Sequence, residues 1–175
     1  QIKNDINLEK FGEFQFGNIY YSKGLINNCS HAINLIYFIF DNYNIEIKNI
    51  NDCIYDYSKD DPTLSFSLGV NKKMINFIGL NDKNFSIFEI DLIFNAQRIR
   101  CIESGTIIER YKLSKDTIYK GYKSLNFINK DKIIDEPFLT LWQIISSKKN
   151  HEIKNIKVEE SIQTFKLINE LMEKC

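Results

Sequence analysis

The sequence predicts an α+β fold: a large, open, mostly antiparallel sheet with helices packed on one face. An aromatic strand pattern near the start leads into one apolar helix, a long strand-rich middle follows, and helical patterns come last. Strands grouped apart from helices are typical of α+β folds, whereas strict alternation would indicate a parallel sheet. The chain contains no GxGxxG or GxxxxGK[ST] loop that would hold a nucleotide.

The opening elements are a strand and a helix separated by a glycine. Residues 14–21, FQFGNIYY, are aromatic and β-branched, which favours a strand. Gly24 breaks this pattern. Asn28 or Ser30 can then cap a helix that runs to about Phe40, because short polar side chains satisfy the free amides of a first turn.

The middle of the chain is expected to supply most of the sheet. Strand patterns cover 45–57, 64–70, 74–80, 85–94, 98–102 and 107–113, with a turn at 60–62. Along 85–94, one face is apolar and the other alternates isoleucines with Glu89 and Asp91. A second face that is half apolar is often covered by another surface.

Two helices are predicted at the end of the chain. Asp135-Glu136-Pro137 is a typical helix start, and apolar residues at helical spacing follow it as far as Ile145. A last helix begins near Val158. The residues on its apolar stripe are Ile162, Phe165, Ile168 and Met172.

Length and charge set the class of protein. A chain of 175 residues fits one domain, 1–175, and its formal net charge of zero gives no general attraction for nucleic acid. The longest apolar run, inside 33–40, is too short to span a bilayer, so no membrane partner is expected. The four cysteines form no CxxC pair, and we expect them to be reduced in a cytoplasmic protein.

His31 is the strongest candidate for chemistry, because histidine exchanges protons near neutral pH. Asn27 precedes it by four residues and would share its side of an earlier-starting helix, while Asn28 and Lys23 could hold polar or anionic groups of a substrate. Each has a structural alternative. The histidine and the asparagines could serve only as helix-start or turn residues, and the lysine could simply be solvated.

Two other constellations are open. Glu89 and Asp91 share a strand face and could act with His31 as a hydrolase site, or pair instead with Arg98 and Arg100. Cys29 lies close to His31, but a Cys–His dyad needs a third, orienting group that the sequence does not identify.

At this point the chain resembles the C-terminal domain of the Gfo/Idh/MocA oxidoreductases. The segment KGLINNCSHAINLIYFIF resembles the family's Ser/Thr-His motif and apolar helix, and LEKFGEFQFGNIYYSKG resembles the strand before it. FEIDLIFNAQRIRCIESGTIIERYKL is similar to the paired strands of the family, and GYKSL to the stretch after them. EESIQTFKLINELMEKC resembles its closing helix.

The resemblance implies one half of a two-domain enzyme. The N-terminal domain that binds NAD or NADP is not present in this chain, which begins at Gln1, so we expect an excised piece that binds no coenzyme and is inactive alone. The resemblance also implies a sugar or nucleotide-sugar substrate, with a hydroxyl or keto group as the reacting centre. The open face of the sheet is then expected to form a homo-oligomer.

The resemblance also implies roles for the candidate residues. His31 stands at the position of the family's catalytic His, and Asn27 stands where many members have Asp, which weakens any Asp–His relay. Asn34 stands where a later Asp is common, and Cys29 replaces a small residue. The leading hypothesis is a substrate-binding and oligomerisation domain of an NAD(P)-dependent sugar oxidoreductase. The alternative is a non-catalytic sheet domain used for assembly or sugar binding.

Overall fold

A computed structural model describes residues 11–40, 43–132 and 158–175. Strand β1 (Phe14–Tyr21) is followed by a π-helical turn (Leu25–Cys29) and helix α1 (Ser30–Ile39). Seven further strands and a second helix follow: β2 (Ile45–Ile54), β3 (Thr63–Val70), β4 (Lys73–Gly79), β5 (Phe88–Phe94), β6 (Gln97–Ile102), β7 (Ile107–Lys115), β8 (Lys123–Lys132) and α2 (Val158–Glu173). The predicted helix of 135–145 lies outside the described residues.

All eight strands form one open sheet in the order β2-β3-β4-β1-β5-β6-β7-β8. The pair β1–β4 is parallel and every other neighbouring pair is antiparallel. Strand β1, the first of the described strands, therefore lies inside the sheet between two antiparallel meanders. The predicted α+β class and mostly antiparallel sheet are confirmed.

The strand β8 was not among the predicted strands. Its sequence, KSLNFINKDK, is largely polar and most of its side chains are exposed, so no alternation of buried and exposed positions marks it. The register with β7 also shifts at Tyr111, where Phe127 rather than Ile128 is the partner. A bulged, lysine-containing strand is a common way to protect the edge of a sheet.

The helices pack on one face of the sheet. Helix α1 buries Ala32, Ile33, Ile36 and Ile39 against the core side of the strands. Strand β3 contributes alternate residues to the same core, as its pattern predicts, namely Leu64, Phe66, Leu68 and Val70.

Helix α2 packs mainly on α1, and the predicted apolar stripe is only partly its buried face. Ile168 is buried, but Ile162 and Phe165 are 49% and 65% exposed. The buried positions are Thr164, Leu167, Ile168 and Leu171. Two adjacent stripes of this helix are apolar enough to pack, and the partner surface on α1 selects between them.

A row of polar residues crosses the open face of the sheet. Its members face one another in register on seven consecutive strands: Ser67, Asn76, Asn18, Asp91, Arg100, Glu109 and Lys130. Ser67 Oγ donates to Asn76 Oδ1 at 3.0 Å, and Arg100 Nη1 lies 3.1 Å from Glu109 Oε2. Beside this polar row lies an apolar row, in which Phe16 pairs with Met74 and Ile93.

The expectation of four reduced cysteines is wrong for two of them. Cys53 on β2 and Cys175 at the end of the chain form a disulfide with their Cα atoms 6.1 Å apart, whereas Cys29 and Cys101 are free. The two bonded cysteines are 122 residues apart in sequence, so spacing alone gives no sign of the pair. No helix in the described residues is long and apolar enough to cross a membrane.

Candidate functional site

The loop after the central strand has an unusual backbone. Lys23 and Gly24 have φ angles of 68° and 84°, so two successive residues adopt the left-handed region. Only glycine enters this region without a steric penalty, and strained residues of other types cluster at functional sites. This loop therefore turns the chain sharply from β1 into the helical segment that carries the candidate residues.

Asp61 holds the start of that helical segment. Its carboxylate oxygens accept hydrogen bonds from the backbone N–H groups of Ile26 at 2.7 Å and Asn27 at 2.9 Å. The next residues along the chain add two further bonds: Leu25 N donates to the Pro62 carbonyl, and Gly24 N donates to Thr63 Oγ1. A carboxylate at a helix start satisfies free amides and complements the helix dipole.

The helical segment begins earlier than predicted, and it begins as a π-helical turn. The N–H of Cys29 donates to the carbonyl of Gly24, five residues before it, at 3.2 Å. The α-helical pattern follows from Ser30. Single π-helical turns are rare and occur often at functional sites, because they re-aim side chains that a regular helix would place elsewhere.

His31 lies on the exposed side of the first turn of α1 and lines a groove of about 410 Å³ between the two helices. The groove is lined by Ile26, Ser30, His31, Asn34, Ser161, Thr164, Phe165 and Ile168. Five of these side chains are polar and the rest are apolar. Across the groove, Asn34 Nδ2 lies 3.5 Å from Thr164 Oγ1.

Of the other three candidates, Lys23 lies on the loop, and Asn27 and Asn28 lie in the π-helical turn. None of the three is among the residues that line the groove. The side chain of Asn27 donates to the carbonyl of Lys23 at 3.2 Å, and that of Asn28 donates to the carbonyl of Ser22 at 2.8 Å. Both amides therefore make the turn contacts that the structural alternative describes. Lys23 is half-exposed.

Cys29 is unsuited to form a dyad with His31. Its side chain is fully buried beside Tyr21, whose hydroxyl donates to the Leu64 carbonyl at 2.6 Å and accepts from Leu64 N at 2.9 Å. Burial raises the pKa of Cys29 well above its ordinary value, and it raises the pKa of Tyr21 in the same way. A buried neutral thiol is inert as a nucleophile, so Cys29 and Tyr21 contribute to the packing of the core.

The carboxylates of β5 do not join His31. Ile90 and Leu92 face the core under α1, so Asp91 between them faces the opposite side of the sheet. There Asp91 accepts two hydrogen bonds from Arg98, at 2.8 and 2.5 Å. The sheet separates this carboxylate from the groove, so Asp91 and His31 do not form the hydrolase site considered from the sequence.

The start of the helical segment does not fit the pyrophosphate of a dinucleotide. Phosphates bind helix N-termini through free backbone amides approached across a glycine-rich turn. Here the amides of Ile26 and Asn27 are bound by the carboxylate of Asp61, which would also repel a phosphate. Within the described residues, no cluster of three or more His, Cys, Asp or Glu side chains could hold a metal ion.

Sequence reasoning missed Asp61, Thr164 and Phe165 as parts of this region. Asp61 was interpreted as a turn residue, and nothing in the sequence connects it with amides 34 and 35 residues earlier. Thr164 and Phe165 come from α2, which meets α1 only in the folded chain. A larger cleft of about 550 Å³, near Phe14 and Lys73, lies at the opposite end of β1 from His31.

Solved structures share this fold over nearly the whole chain. A dehydrogenase (MviM) from Clostridium difficile matches 99% of the chain with 16% identity and a TM-score of 0.63. A super-repressor mutant of Gal80p from Saccharomyces cerevisiae matches 98% with 11% identity and a TM-score of 0.68. KijD10, a 3-ketoreductase from Actinomadura kijaniata in complex with TDP-benzene and NADP, matches 97% with 9% identity and a TM-score of 0.60.

These neighbours are of the Gfo/Idh/MocA type, so the resemblance found in the sequence is confirmed at the level of the fold. The chain spans 58% of the length of the first two structures and 55% of the third. No protein-family model and no curated protein matches the sequence.

Proposed function

We propose that this chain is the substrate-binding and oligomerisation domain of an NAD(P)-dependent oxidoreductase that acts on a hydroxyl or keto group of a sugar or nucleotide sugar. The observation that carries the proposal is the position of His31, exposed on a groove beside the strained loop that follows the central strand. The shared fold with a dehydrogenase and a 3-ketoreductase supports it.

The lining of the groove suits a sugar ring. Sugars present hydroxyl groups around their edge and C–H groups on their faces, so their sites combine hydrogen-bonding side chains with aromatic surface. Here Ser30, Asn34 and Ser161 supply donors and acceptors, and Phe165 supplies an exposed ring. His31 would give or take the proton of the reacting hydroxyl or keto oxygen.

The neighbouring loop and π-helical turn would hold the charged part of a nucleotide sugar. Lys23 is the only cation among the four candidate residues unless His31 is protonated, and its ammonium can approach a phosphate as a point charge. Asn27 and Asn28 each keep a side-chain carbonyl oxygen that can accept hydrogen bonds from ligand hydroxyls. In this proposal Asn27 positions the substrate and does not act as a base.

NAD or NADP would bind to a separate dinucleotide-binding domain of the full-length protein. The resemblance implies that domain, and the carboxylate at the helix start of this chain is incompatible with a pyrophosphate there. We expect the isolated chain to bind no coenzyme and to be inactive. A cytoplasmic location, and partners that include neither nucleic acid nor membrane, belong to the same proposal.

A second copy of the chain would cover the open face of the sheet. The apolar row of Phe16, Met74 and Ile93 is half-buried even without a partner, and the polar row beside it can form hydrogen bonds across an interface. Sedimentation of wild type and of Phe16→Lys tests this part. An oligomer that dissociates in the variant supports it, and an unchanged sedimentation coefficient contradicts it.

Titration followed by NMR tests the substrate site. Addition of TDP-glucose to the chain should shift backbone signals around His31, Lys23 and Phe165, and His31→Ala should reduce these shifts. Tyr122→Ala, an exposed change on the β7–β8 turn, is the matched control and should leave them intact. Shifts confined to the opposite end of β1, or tight binding of NADP by this chain, would contradict the proposal.

A non-catalytic sheet domain is the second candidate. It is favoured by the shared fold with the super-repressor mutant of Gal80p, and by Asn27 in place of the Asp implied by the resemblance. The two candidates differ in one assay. The full-length protein, supplied with NADP and a nucleotide sugar, should show hydride transfer in the first case and ligand binding without turnover in the second.

A further inference from the structure

The end of the chain is fastened to an edge of the sheet by one covalent bond. Cys175 is the second residue after α2, and its sulfur is bonded to that of Cys53 on strand β2. The hydroxyl of Tyr55 lies 3.6 Å from the Cys175 sulfur. Cys175 is exposed and Cys53 is half-buried, so small thiols and disulfides can reach the bond from solvent.

The bond fixes the helix that forms one wall of the groove. Helix α2 contributes Ser161, Thr164, Phe165 and Ile168 to the lining, and among the described elements it packs chiefly on α1. Its buried face is short, because Thr164, Leu167, Ile168 and Leu171 are the buried positions. Movement of this helix would open the side of the groove that faces His31.

We propose that Cys53 and Cys175 form a redox latch that sets the position of α2 and thereby controls ligand binding in the groove. The binding part of this inference rests on the proposed function. The latch itself, a thiol–disulfide pair that orders the helix, is independent of the proposed function. Disulfides in cytosolic proteins are usually transient and redox-sensing, which agrees with an exposed pair in a protein expected in the cytoplasm.

The chemistry is thiol–disulfide exchange with glutathione. The thiolate of one cysteine attacks glutathione disulfide, forms a mixed disulfide and releases one glutathione. The second cysteine then displaces the other glutathione and forms the Cys53–Cys175 bond. Overall, the two protein thiols are oxidised and one glutathione disulfide is reduced to two glutathione molecules. Excess reduced glutathione or dithiothreitol reverses the sequence.

The two free cysteines provide an internal control. Cys29 is fully buried and Cys101 is half-buried, and neither lies in the groove or on α2. Cys101→Ser should therefore leave the latch intact, whereas Cys175→Ser should abolish it. Position 175 is exposed, so its substitution removes no core contact.

Hydrogen exchange of the full chain under two redox conditions tests the latch. With glutathione disulfide, peptide mapping should find Cys53 linked to Cys175, and amides of 164–173 should exchange roughly tenfold or more slowly than with dithiothreitol. Cys175→Ser should show the fast exchange in both conditions, and Cys101→Ser should respond like wild type. Reduced wild type with alkylated thiols provides a second unlatched protein that needs no substitution.

The exchange experiment tests the latch, and a binding experiment tests its control of the groove. Absence of the Cys53–Cys175 peptide after oxidation would overturn the latch, and so would equal exchange of α2 in the oxidised and reduced proteins. TDP-glucose, added to both forms, should bind more weakly to the reduced one, and equal affinity would overturn control of the groove. If TDP-glucose binds neither form while the exchange difference persists, the proposed function fails and the latch stands.

Discussion

Asp61 accepts a hydrogen bond from the backbone N–H of Asn27 at 2.9 Å, although 34 residues separate them in sequence. Its other oxygen accepts from the N–H of Ile26. One buried carboxylate thus fixes the start of the helical segment that carries the candidate residues. The loop before β3 therefore determines the position of the groove without lining it.

Asp61→Asn should destabilise the protein by about 1–3 kcal/mol, since a neutral amide cannot accept both bonds and a charge-assisted bond is lost. Urea unfolding monitored by circular dichroism measures the change. Asp60→Asn is the matched control, because Asp60 is exposed, and it should change the free energy of unfolding by less than about 0.5 kcal/mol. Equal effects of the two substitutions would refute the role assigned to Asp61.

Gly24→Ala should be more damaging than the same substitution at Gly121. Both glycines have positive φ angles, of 84° and 90°, so both substitutions carry a backbone penalty. At Gly24 the added methyl group would also overlap the Asp61 carboxylate, whereas at Gly121 nothing lies within 4 Å. Thermal unfolding of both variants measures the difference, and Gly24→Ala should have the lower melting temperature. Similar melting temperatures would show that the loop moves aside without a measurable loss of stability.

Lys23→Gly should stabilise the fold and weaken ligand binding. A lysine at a φ of 68° pays a steric penalty of about 1 kcal/mol that glycine avoids. The substitution also removes the ammonium proposed to meet a phosphate. Glu103→Gly relieves a similar backbone, with a φ of 51°, in the β6–β7 turn. It should therefore raise stability while the affinity for TDP-glucose is unchanged. A loss of affinity in both variants would point to a general effect of loosening the chain.

Stability should fall as the pH rises above about 8.5, partly because of Cys29. Burial raises the pKa of this thiol, so the folded protein keeps the proton at pH values where the unfolded chain releases it. The contribution is complete below the unfolded pKa and is lost as the pH rises towards the folded one. Urea unfolding between pH 7 and pH 10, under reducing conditions, should show a shallower decline for Cys29→Ala than for wild type. If the stability of the two proteins declined in parallel with pH, the Cys29 thiol would not be a cause of the decline.

His31→Ala in the full-length protein should lower turnover by about two to four orders of magnitude if the imidazole transfers a proton. Because His31 is exposed and outside the core, the free energy of unfolding should change little. Steady-state kinetics with a nucleotide sugar measures the first effect and urea unfolding the second. A fall in stability without a fall in turnover would mean that the residue is structural.

Much of the sheet could be predicted because local alternation reflects burial on one face. Strand β1 coincides with the predicted 14–21, and β3 differs from its predicted range by one residue at its start. Strand β8 escaped prediction because its edge position leaves both faces exposed. The pattern that identifies a strand is a pattern of burial, so a strand with little burial carries almost no pattern.

The candidate site was only partly predictable for a different reason. His31 was selected by residue type, and the structure places it on a groove. Asp61 and Phe165 reach the same end of the molecule through tertiary contacts over more than 30 residues of sequence. The Cys53–Cys175 bond depends on the docking of α2, which no local pattern encodes.

The central place of β1 has a consequence for how the molecule acquires its shape. Among the described strands this one is synthesised first, yet its parallel partner is β4 and its antiparallel partner is β5. Its amide and carbonyl groups therefore have no strand partner until some fifty further residues have been synthesised. Each meander can assemble locally, but the strand that joins them is the first of the described strands to be synthesised. A nascent fragment that ends before β4 therefore contains neither of its partners.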